Sequence, residues 1–174
     1  MTSARVNAEL KARCPDPRTT ARRIRAAGAR WTALERQTDT YYSIREGRLK
    51  LREVGRRALL VRYFRGNALR TKRSDVLLLP LSRAGTVKRM LGRRIGVRVV
   101  VEKVRRVYLK GNVRIHLDDV RGLGRFVEIE AVGPPEEFPR LRHQAEGTAR
   151  AIGLRPDQLV RGSYSDLLLQ ARKR

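Results

Sequence analysis

Polar and hydrophobic residues alternate one by one between residues 112 and 130. The polar positions of this alternation are Arg114, His116, Asp118, Glu128 and Glu130. Because successive side chains along a β-strand point to opposite faces, a period of two predicts strands rather than helices. Gly122 and Gly124 divide the stretch, so it is predicted to form a hairpin with one polar and one apolar face. Clustered carboxylates of this kind suit Mg²⁺ or Mn²⁺, which prefer oxygen ligands.

The same alternation recurs at residues 6–13, 48–52 and 99–105. The charged positions that share a face within these stretches are Glu9, Lys11, Arg13, Arg48, Lys50, Arg52, Lys103 and Arg105. A sheet with one face in water alternates in the same way, so the pattern alone permits polar faces that simply meet solvent. If the polar faces converge instead, they line a tunnel with many cations and a few carboxylates. Such a lining matches a polyanion that carries a divalent metal, for example a nucleoside triphosphate.

Turn residues divide the rest of the chain into further strands and a few helices. The further strands are predicted at Trp31–Tyr42, Leu59–Arg65, Leu69–Leu79 and Val97–Lys110, and the helices at Thr19–Ala27, Leu81–Leu91, Glu136–Ile152, Pro156–Val160 and Tyr164–Ala171. Asp16 and Pro17 are typical of a helix start, whereas Pro80 is expected to end a strand. About eight strands with helices grouped outside them predict an α+β fold built on a closed antiparallel eight-stranded β-barrel.

Composition adds a strong positive charge to this picture. The 174 residues include 41 Lys and Arg against 17 Asp and Glu, which gives a formal charge of +24. Such a charge predicts attraction to nucleic acid, to anionic membranes or to small polyanions. Most of these cations are arginines, as a GC-rich coding sequence would also produce. The charge by itself therefore does not choose among these partners.

Cysteine usage and hydropathy limit the cellular compartments in which the protein is expected. Cys14 is the only cysteine, which excludes an internal disulfide and fits a reducing cytosol. No group of Cys and His has the spacing of a zinc site. No stretch has the apolar run of a signal peptide or of a membrane span, so a cytoplasmic protein without a membrane partner is expected. The basic tail at residues 172–174 is expected to be disordered.

Six motifs, in this order along the chain, make the sequence similar to the CYTH domain of the triphosphate tunnel metalloenzymes. They are Asn7-Ala8-Glu9-Leu10-Lys11, Gln37–Tyr42, Gly47–Arg52, Val101–Tyr108, the hairpin Arg114–Glu130, and Ser163–Leu167. The first corresponds to the family signature Glu-x-Glu-x-Lys, with Asn7 in place of the first Glu. The family includes class IV adenylate cyclases, thiamine triphosphatases and inorganic triphosphatases. The resemblance therefore implies one domain, residues 1–174, whose barrel is a triphosphate tunnel.

The resemblance also implies a role for each charged position of the barrel. Binding of Mg²⁺ or Mn²⁺ is expected of Glu9, Asp118, Glu128 and Glu130. Phosphate binding is expected of Lys11, Arg48, Lys50, Arg52, Arg65, Lys103, Arg105 and Arg114. Catalytic roles are expected of Lys11, Arg65, Lys103 and Arg105. The alternative for each cation is a solvated surface position, and for each carboxylate a surface ion pair that adds little stability.

Two classes of function follow from these expectations. The first is a metal-dependent enzyme, either a class IV adenylate cyclase or a triphosphatase, with a nucleoside triphosphate, thiamine triphosphate or inorganic polyphosphate as substrate. The second is a non-catalytic protein that binds polyphosphate, nucleotide or RNA. An amide at Asn7 lacks the charge of the family glutamate, which favours weakened metal binding or the second class. Only 5% of residues are aromatic, which disfavours base stacking and hence nucleic acid. A homodimer is left open.

Overall fold

The structure is a computed structural model that describes residues 5–65 and 72–172, without the side chains of residues 64–65 and 72–76. Eight strands make up the sheet: β1 (Val6–Arg13), β2 (Arg30–Tyr42), β3 (Arg48–Val54), β4 (Arg57–Arg65), β5 (Lys72–Leu81), β6 (Val97–Lys110), β7 (Val113–Val120) and β8 (Gly124–Gly133). Four helices accompany them: α1 (Pro17–Ala26), α2 (Ala84–Ile95), α3 (Phe138–Ala151) and α4 (Tyr164–Ala171). Short 3₁₀ helices occupy Pro135–Glu137 and Pro156–Gln158.

All strand pairs are antiparallel, and pairing runs around the sheet in the order β1-β5-β4-β3-β2-β6-β7-β8 and back to β1. The predicted α+β class and the eight antiparallel strands are therefore confirmed. Within the described residues, the seam between β1 and β5 consists of Val6–Glu9 paired with Lys72–Asp75. Among the described strand residues, the second half of β1 pairs with β8 alone. The strands thus curl into a barrel whose described seam joins β5 to the first half of β1.

The predicted elements agree with the observed ones in type, with shifts at their ends. The strand Val97–Lys110 and the helix Tyr164–Ala171 have the predicted bounds. Pro80 does not end a strand as expected: it lies within β5 opposite Leu59. Among the described residues, β5 has β4 on one side at this point and no paired strand on the other, and a proline is tolerated at such a strand edge because it has no N–H group to donate. The following helix accordingly begins at Ala84 rather than Leu81.

Three of the sequence predictions fall partly or wholly on residues that are not described. The turn at Gly66-Asn67 and the start of the predicted strand Leu69–Leu79 lie outside the described residues. Most of the basic tail, residues 173–174, also lies outside them.

Among the described helices, none combines the length and the apolar character needed to cross a membrane.

Charged residues face the inside of this barrel, and most of the apolar faces point outward. On the outside, the apolar residues of β1, β7 and β8 pack beneath α1 and α3, with Ile24, Ile115, Ile129 and Leu141 fully buried. Asp16 caps α1 by accepting hydrogen bonds from the backbone of Arg18 and Thr19, which fixes the helix on this face. Burial of apolar area outside the ring stabilises the fold, so the interior is available for polar groups.

A second, smaller apolar cluster lies inside one end of the barrel. Phe126 and Tyr164 meet edge to face there, with ring centroids 5.0 Å apart. Val99, Val101 and Val120 pack around them. Because Tyr164 is the first residue of α4, this cluster holds the end of the last helix inside the ring. The barrel interior is therefore apolar at one end and charged in the remainder.

Candidate functional site

The charged part of the barrel interior contains a cavity of about 240 Å³. Its polar lining includes Asn7, Glu9, Lys11, Lys50, Arg52, Lys103, Arg105, Arg114, Glu128, Glu130 and Ser163. Among the side chains that the structure describes, six cations and three carboxylates line it, which leaves a formal charge of +3. Alternation along β1, β3, β6, β7 and β8 directs these side chains inward from five strands. A cavity of this charge attracts a compact polyanion.

A buried carboxylate, Asp39 of β2, holds three of the neighbouring cations. Arg52 binds it in a fork, with Nε 2.7 Å from Oδ1 and the terminal nitrogen 2.8 Å from Oδ2. Lys50 and Lys103 each donate to the same Oδ2, at 3.0 and 3.1 Å. Only 1% of the Asp39 side chain is exposed, and it does not line the cavity. Asp39 therefore fixes the positions of the three cations from outside the cavity lining.

The charges around Asp39 change the proton affinity of the whole group. Burial alone would raise the pKa of Asp39, but Arg52, Lys103 and Lys50 outweigh burial and hold that pKa well below its usual range. Burial lowers the pKa of Lys50 to about 7, and repulsion from Arg52 adds to this effect. Burial likewise lowers the pKa of Lys103 to about 8, although the attraction of Asp39 opposes it. Both lysines are therefore partly neutral near pH 8.

A second buried carboxylate, Asp118 of β7, holds Arg105 in the same manner. Arg105 donates from Nε to Oδ1 and from a terminal nitrogen to Oδ2, both at 2.7 Å. The hydroxyl of Tyr164 donates to Oδ2 at 2.7 Å. Burial opposes the charged form of Asp118, yet Arg105 lowers its pKa to about 2. Asp118 is thus a charged anchor that joins β7, β6 and α4 beneath the cavity.

Glu128 faces the cavity and is bound by two of its cations. One oxygen accepts a hydrogen bond from the Lys11 ammonium, and the other accepts one from Arg105. Lys11 also lies 3.8 Å from Glu9 and over the ring of Tyr164, 3.9 Å from its centroid. The burial of Glu128 would raise its pKa, but Lys11 and Arg105 keep the pKa well below the usual range. Glu128 is therefore ionised throughout the physiological range of pH.

One group of side chains has the composition of a metal site. Ligand atoms of His116, Glu128 and Glu130 all lie within 4.8 Å of one another. Nδ1 of His116 is 3.8 Å from Glu128 and 4.0 Å from Glu130. This buried nitrogen has no hydrogen-bond partner among the described residues, and an unpaired buried polar atom is costly unless a ligand satisfies it. An imidazole with two carboxylates suits a first-row divalent ion such as Mn²⁺.

The structure brings most of the predicted site residues to one cavity. Glu9, Lys11, Lys50, Arg52, Lys103, Arg105, Arg114, Glu128 and Glu130 all line it. Asp118 lies behind the lining, with both oxygens bonded to Arg105, and its metal role stays a prediction. Arg48 bonds Asp166 of α4 at 2.7 Å and does not line the cavity. The side chain of Arg65 lies outside the described residues.

Sequence reasoning gave too little weight to three residues of this region. The role of Asp39 as an anchor was not predicted, although the Gln37–Tyr42 motif contains it. Tyr164 contacts Asp118 and Lys11 because α4 begins inside the barrel, which no local pattern indicates. His116 was not among the predicted metal ligands. Its alternation with Arg114 and Asp118 indicated only that the three side chains share one face.

Comparison with known sequences identifies relatives of this chain. The sequence model of the CYTH domain matches residues 6–164. A candidate adenylate cyclase of Methanocaldococcus jannaschii is 28% identical over 82 residues, which make up 45% of this chain and 47% of that protein. The aligned part of the chain thus spans about half the length of the curated relative.

Solved structures share the fold over nearly their whole length. A protein of Pyrococcus horikoshii superposes with a TM-score of 0.81 and 23% identity, covering 92% of this chain and 98% of the other. A candidate adenylate cyclase of Vibrio parahaemolyticus gives a TM-score of 0.79 with 18% identity, covering 94% and 97%. An enzyme of Hippeastrum, described as a candidate adenylyl cyclase with a dominant triphosphatase activity, gives 0.65 with 13% identity, covering 98% and 96%. At these identities the likeness concerns the fold.

Proposed function

Because the chain belongs to the CYTH domain family, we propose that it is a divalent-metal-dependent enzyme that acts on a triphosphate held inside the barrel. The single observation that carries the proposal is the cavity lined by six cations and three carboxylates. A triphosphate bound with one divalent ion carries a negative charge of comparable size. Phosphoryl and nucleotidyl transfer depend mainly on positioning and charge neutralisation, so a rigid basic cavity is itself a means of catalysis. In this proposal the ring of strands forms a closed triphosphate tunnel.

The proposed phosphate-binding groups have fixed positions before substrate arrives. Asp39 sets the positions of Arg52, Lys50 and Lys103, and Asp118 sets that of Arg105. A cation that is already fixed loses little conformational freedom when phosphate binds, so more of the interaction energy appears as affinity. We assign phosphate contacts to Lys11, Arg48, Lys50, Arg52, Arg65, Lys103, Arg105 and Arg114. Catalytic roles in stabilising the transferred or leaving phosphate fall to Lys11, Arg65, Lys103 and Arg105.

The residues at one side of the cavity fit a divalent metal. Glu128, Glu130 and the unpaired Nδ1 of His116 would hold it, with Glu9 nearby on the neighbouring strand β1. When bound, Mg²⁺ or Mn²⁺ supplies positive charge to phosphate oxygens and lowers the barrier to attack on phosphorus. Glu128 already binds Lys11 and Arg105. A metal ion at Glu128 would compete with these two cations for its charge, and a cation displaced in this way would be available to bind phosphate.

Cyclase and triphosphatase share every group named so far, and they differ in the nucleophile. Attack by a ribose hydroxyl releases pyrophosphate and forms a cyclic nucleotide, whereas attack by water releases phosphate. The names of the relatives include both activities. We propose the shared step, metal-assisted attack on a bound triphosphate, as the function of the site.

A substrate panel tests the proposal and separates its two forms. ATP, thiamine triphosphate and inorganic tripolyphosphate are incubated with Mg²⁺, with Mn²⁺ and with a chelator, and phosphate, pyrophosphate and cyclic AMP are measured separately. Turnover that requires metal and releases pyrophosphate with cyclic AMP identifies a cyclase, whereas phosphate release identifies a triphosphatase. Tight binding of tripolyphosphate without any turnover would contradict the enzyme proposal and favour the non-catalytic binder.

A further inference from the structure

A second basic surface lies on the outside of the barrel, between α1 and the outer face of β2 and β6. We call it the outer groove and define it by Arg18, Arg22, Arg25, Trp31 and Arg106. Its volume is about 760 Å³, and it is open to solvent. Arg106 follows Arg105 directly on β6, so one points outward into the groove and the other inward to the cavity. The groove and the tunnel are thus separate surfaces on opposite faces of one strand.

The arginines of the groove form one stripe along α1. Arg18, Arg22 and Arg25 are spaced four and three residues apart, which puts them on the same helix face. Beside this stripe, Ala21 and Ile24 of the same helix are buried. These exposed arginines are held in place by a helix whose apolar side is packed. The stripe is therefore a fixed surface rather than a set of arginines on a loop.

The positive charge of the groove is hardly compensated. In the described parts of the chain, no carboxylate lies within ion-pair distance of the guanidinium groups of the three helix arginines or of Arg106, and Arg22 bonds only the hydroxyl of Thr19, at 3.1 Å. Asp16 is the one acidic residue that lines the groove. Its side chain is used as the cap of α1, where it accepts two backbone N–H groups. Four arginines against one aspartate give the groove a formal charge of +3.

The groove also contains an exposed aromatic ring. Trp31 is the only tryptophan of the chain, and 57% of its surface is accessible. It lies at the start of β2 opposite Tyr108, where a β-bulge between Trp31 and Ala33 interrupts the regular pairing. The large apolar face of tryptophan is usually covered in a folded protein. An exposed indole among arginines is a stacking surface beside a phosphate-binding surface.

We propose that the outer groove binds single-stranded nucleic acid. The arginines along α1 and β6 would bind successive phosphates of the backbone, and Trp31 would stack on a base. Stacking on one ring tolerates any base, so little sequence preference is expected. An anionic bilayer fits the groove less well, because the groove is concave and the exposed face of α1 offers no large apolar side chain to insert. The binding is independent of the reaction proposed for the tunnel.

Fluorescence anisotropy of a labelled oligouridine of about 12 nucleotides, a length within the range of known single-strand sites, tests this proposal. Wild type should bind it, with quenching of the Trp31 emission. Arg22→Ser with Arg25→Ser should weaken binding about tenfold and reduce the slope of log K against log salt by about 1.4, that is, about 0.7 for each lost phosphate contact. Trp31→Ala should weaken binding at least about fivefold.

A matched pair of arginines elsewhere provides the control. Arg93 and Arg94 end α2, near Gly96, whose carbonyl accepts from Ser43 just after β2. They are therefore at the other end of β2 from Trp31, roughly 35 Å along the strand. Arg93→Ser with Arg94→Ser removes the same charge and should leave binding within about twofold of wild type. An equal loss from both double variants would contradict the groove and indicate general attraction to a basic protein.

Two further measurements separate the groove from other surfaces. Micromolar inorganic tripolyphosphate should occupy the tunnel without displacing the oligonucleotide. Displacement would place the oligonucleotide in the tunnel and overturn the proposal. Binding to vesicles containing phosphatidylserine should reflect the net charge alone and be unchanged by Trp31→Ala, whereas strong binding to them that Trp31→Ala abolishes would identify a membrane site instead.

Discussion

The carboxylate of Asp39 accepts a hydrogen bond from the ammonium of Lys103 at 3.1 Å, and this contact joins β2 to β6 directly beneath the cavity. Lys50 reaches the same oxygen from β3, so one buried charge fixes two lysines on different strands. Removing one partner of such a buried group costs more than the contact itself gains, because the remaining charges stay buried without compensation. Asp39 is therefore important both for the fold and for the arrangement of the cations.

Asp39→Asn should weaken binding of triphosphate and move its pH dependence to lower pH. Asp39 raises the pKa of both Lys50 and Lys103, so without its charge each lysine loses its proton at a lower pH. Binding should therefore decline at a lower pH than in wild type, and kcat/KM should fall by about tenfold or more. The measurement is affinity for tripolyphosphate, by calorimetry, across pH 6 to 9.

Asp39→Asn should also lower stability by about 3–5 kcal/mol, as other broken buried pairs do. Asp39→Glu provides the companion variant, since it keeps the charge with altered geometry and should retain the wild-type pH profile at reduced affinity. Asp119→Asn is the matched control, because Asp119 lies exposed on the outer face of β7 with only Arg125 at 3.8 Å. A pH profile of Asp39→Asn equal to that of wild type would show that Asp39 does not set the lysine charges.

Binding of a triphosphate should be accompanied by uptake of protons near pH 8. The pKa of Lys50 is about 7 and that of Lys103 about 8 in the free protein, so both are partly deprotonated at this pH. A bound polyanion favours the charged form and raises both pKa values, which requires about one proton per triphosphate at pH 8 and almost none at pH 6. Calorimetry in buffers of different ionisation enthalpy measures this number.

Lys103→Gln should reduce the proton uptake at pH 8 by about a third, because Lys103 is about half deprotonated at this pH and Lys50 about nine-tenths. Lys88→Gln is the control, since Lys88 lies on the surface and pairs with Glu53 at 2.6 Å. Uptake that is absent from wild type, or present equally at pH 6, would mean that the two lysines are fully charged before binding.

Glu128→Gln and Glu130→Gln should both abolish metal-dependent turnover, with a loss of about 100-fold or more, since each removes a charged ligand from the ion. Their effects on stability should differ. Glu128→Gln leaves Lys11 and Arg105 without their shared carboxylate, so its melting temperature should fall. Glu130 has His116 at 4.0 Å, and Glu130→Gln should melt close to wild type.

Glu102→Gln serves as control for both glutamate variants, because Glu102 pairs with Arg121 on the exposed outer face of β6. It should keep wild-type turnover and wild-type dependence on metal concentration. Turnover at the wild-type rate by Glu130→Gln, at saturating substrate and limiting metal, would refute the assignment of Glu130 as a metal ligand.

Asn7→Glu should tighten the binding of Mn²⁺ or Mg²⁺. Asn7 lines the cavity on the same face as Glu9, about 7 Å along the strand. A full negative charge near a partly desolvated ion contributes on the order of 1–2 kcal/mol, which is about tenfold in affinity. Metal titration by calorimetry at fixed pH compares the variant with wild type. Unchanged affinity would mean that position 7 does not take part in metal binding, although it faces the cavity.

The alternation of polar and apolar residues predicted most of this fold, because successive side chains of a strand point to opposite faces. The hairpin of β7 and β8 could be placed from residues 113–120 and 124–130 alone, and Asp118 is buried on the same face as the other polar positions of this alternation. The pattern cannot distinguish an inner face from an outer one, since both alternate with the same period. That the charged faces turn inward depends on α1 and α3 covering the apolar faces, which is a property of the whole fold.

The anchoring contacts could not be predicted from local sequence. Asp39 and Lys103 are separated by 64 residues, and Asp118 and Tyr164 by 46. Their meeting depends on the register between β2 and β6 and on the entry of α4 into the barrel, and neither is encoded in a short motif. Pro80 was misjudged for a related reason. Whether a proline ends a strand depends on which neighbours that strand has, and among the described residues β5 pairs only with β4 at this point.

Among the described residues, Leu10–Arg13 pair with β8 on one side and with no second strand on the other, and an open strand edge of this kind is one that other chains could extend. The segment after the second 3₁₀ helix covers this edge: Val160 donates its N–H to the carbonyl of Lys11 at 2.9 Å, and Leu159 bridges Ala12. The C-terminal segment thus protects the sheet against edge-to-edge aggregation. A chain shortened before Leu159 would keep all eight strands and expose a template for intermolecular β-pairing.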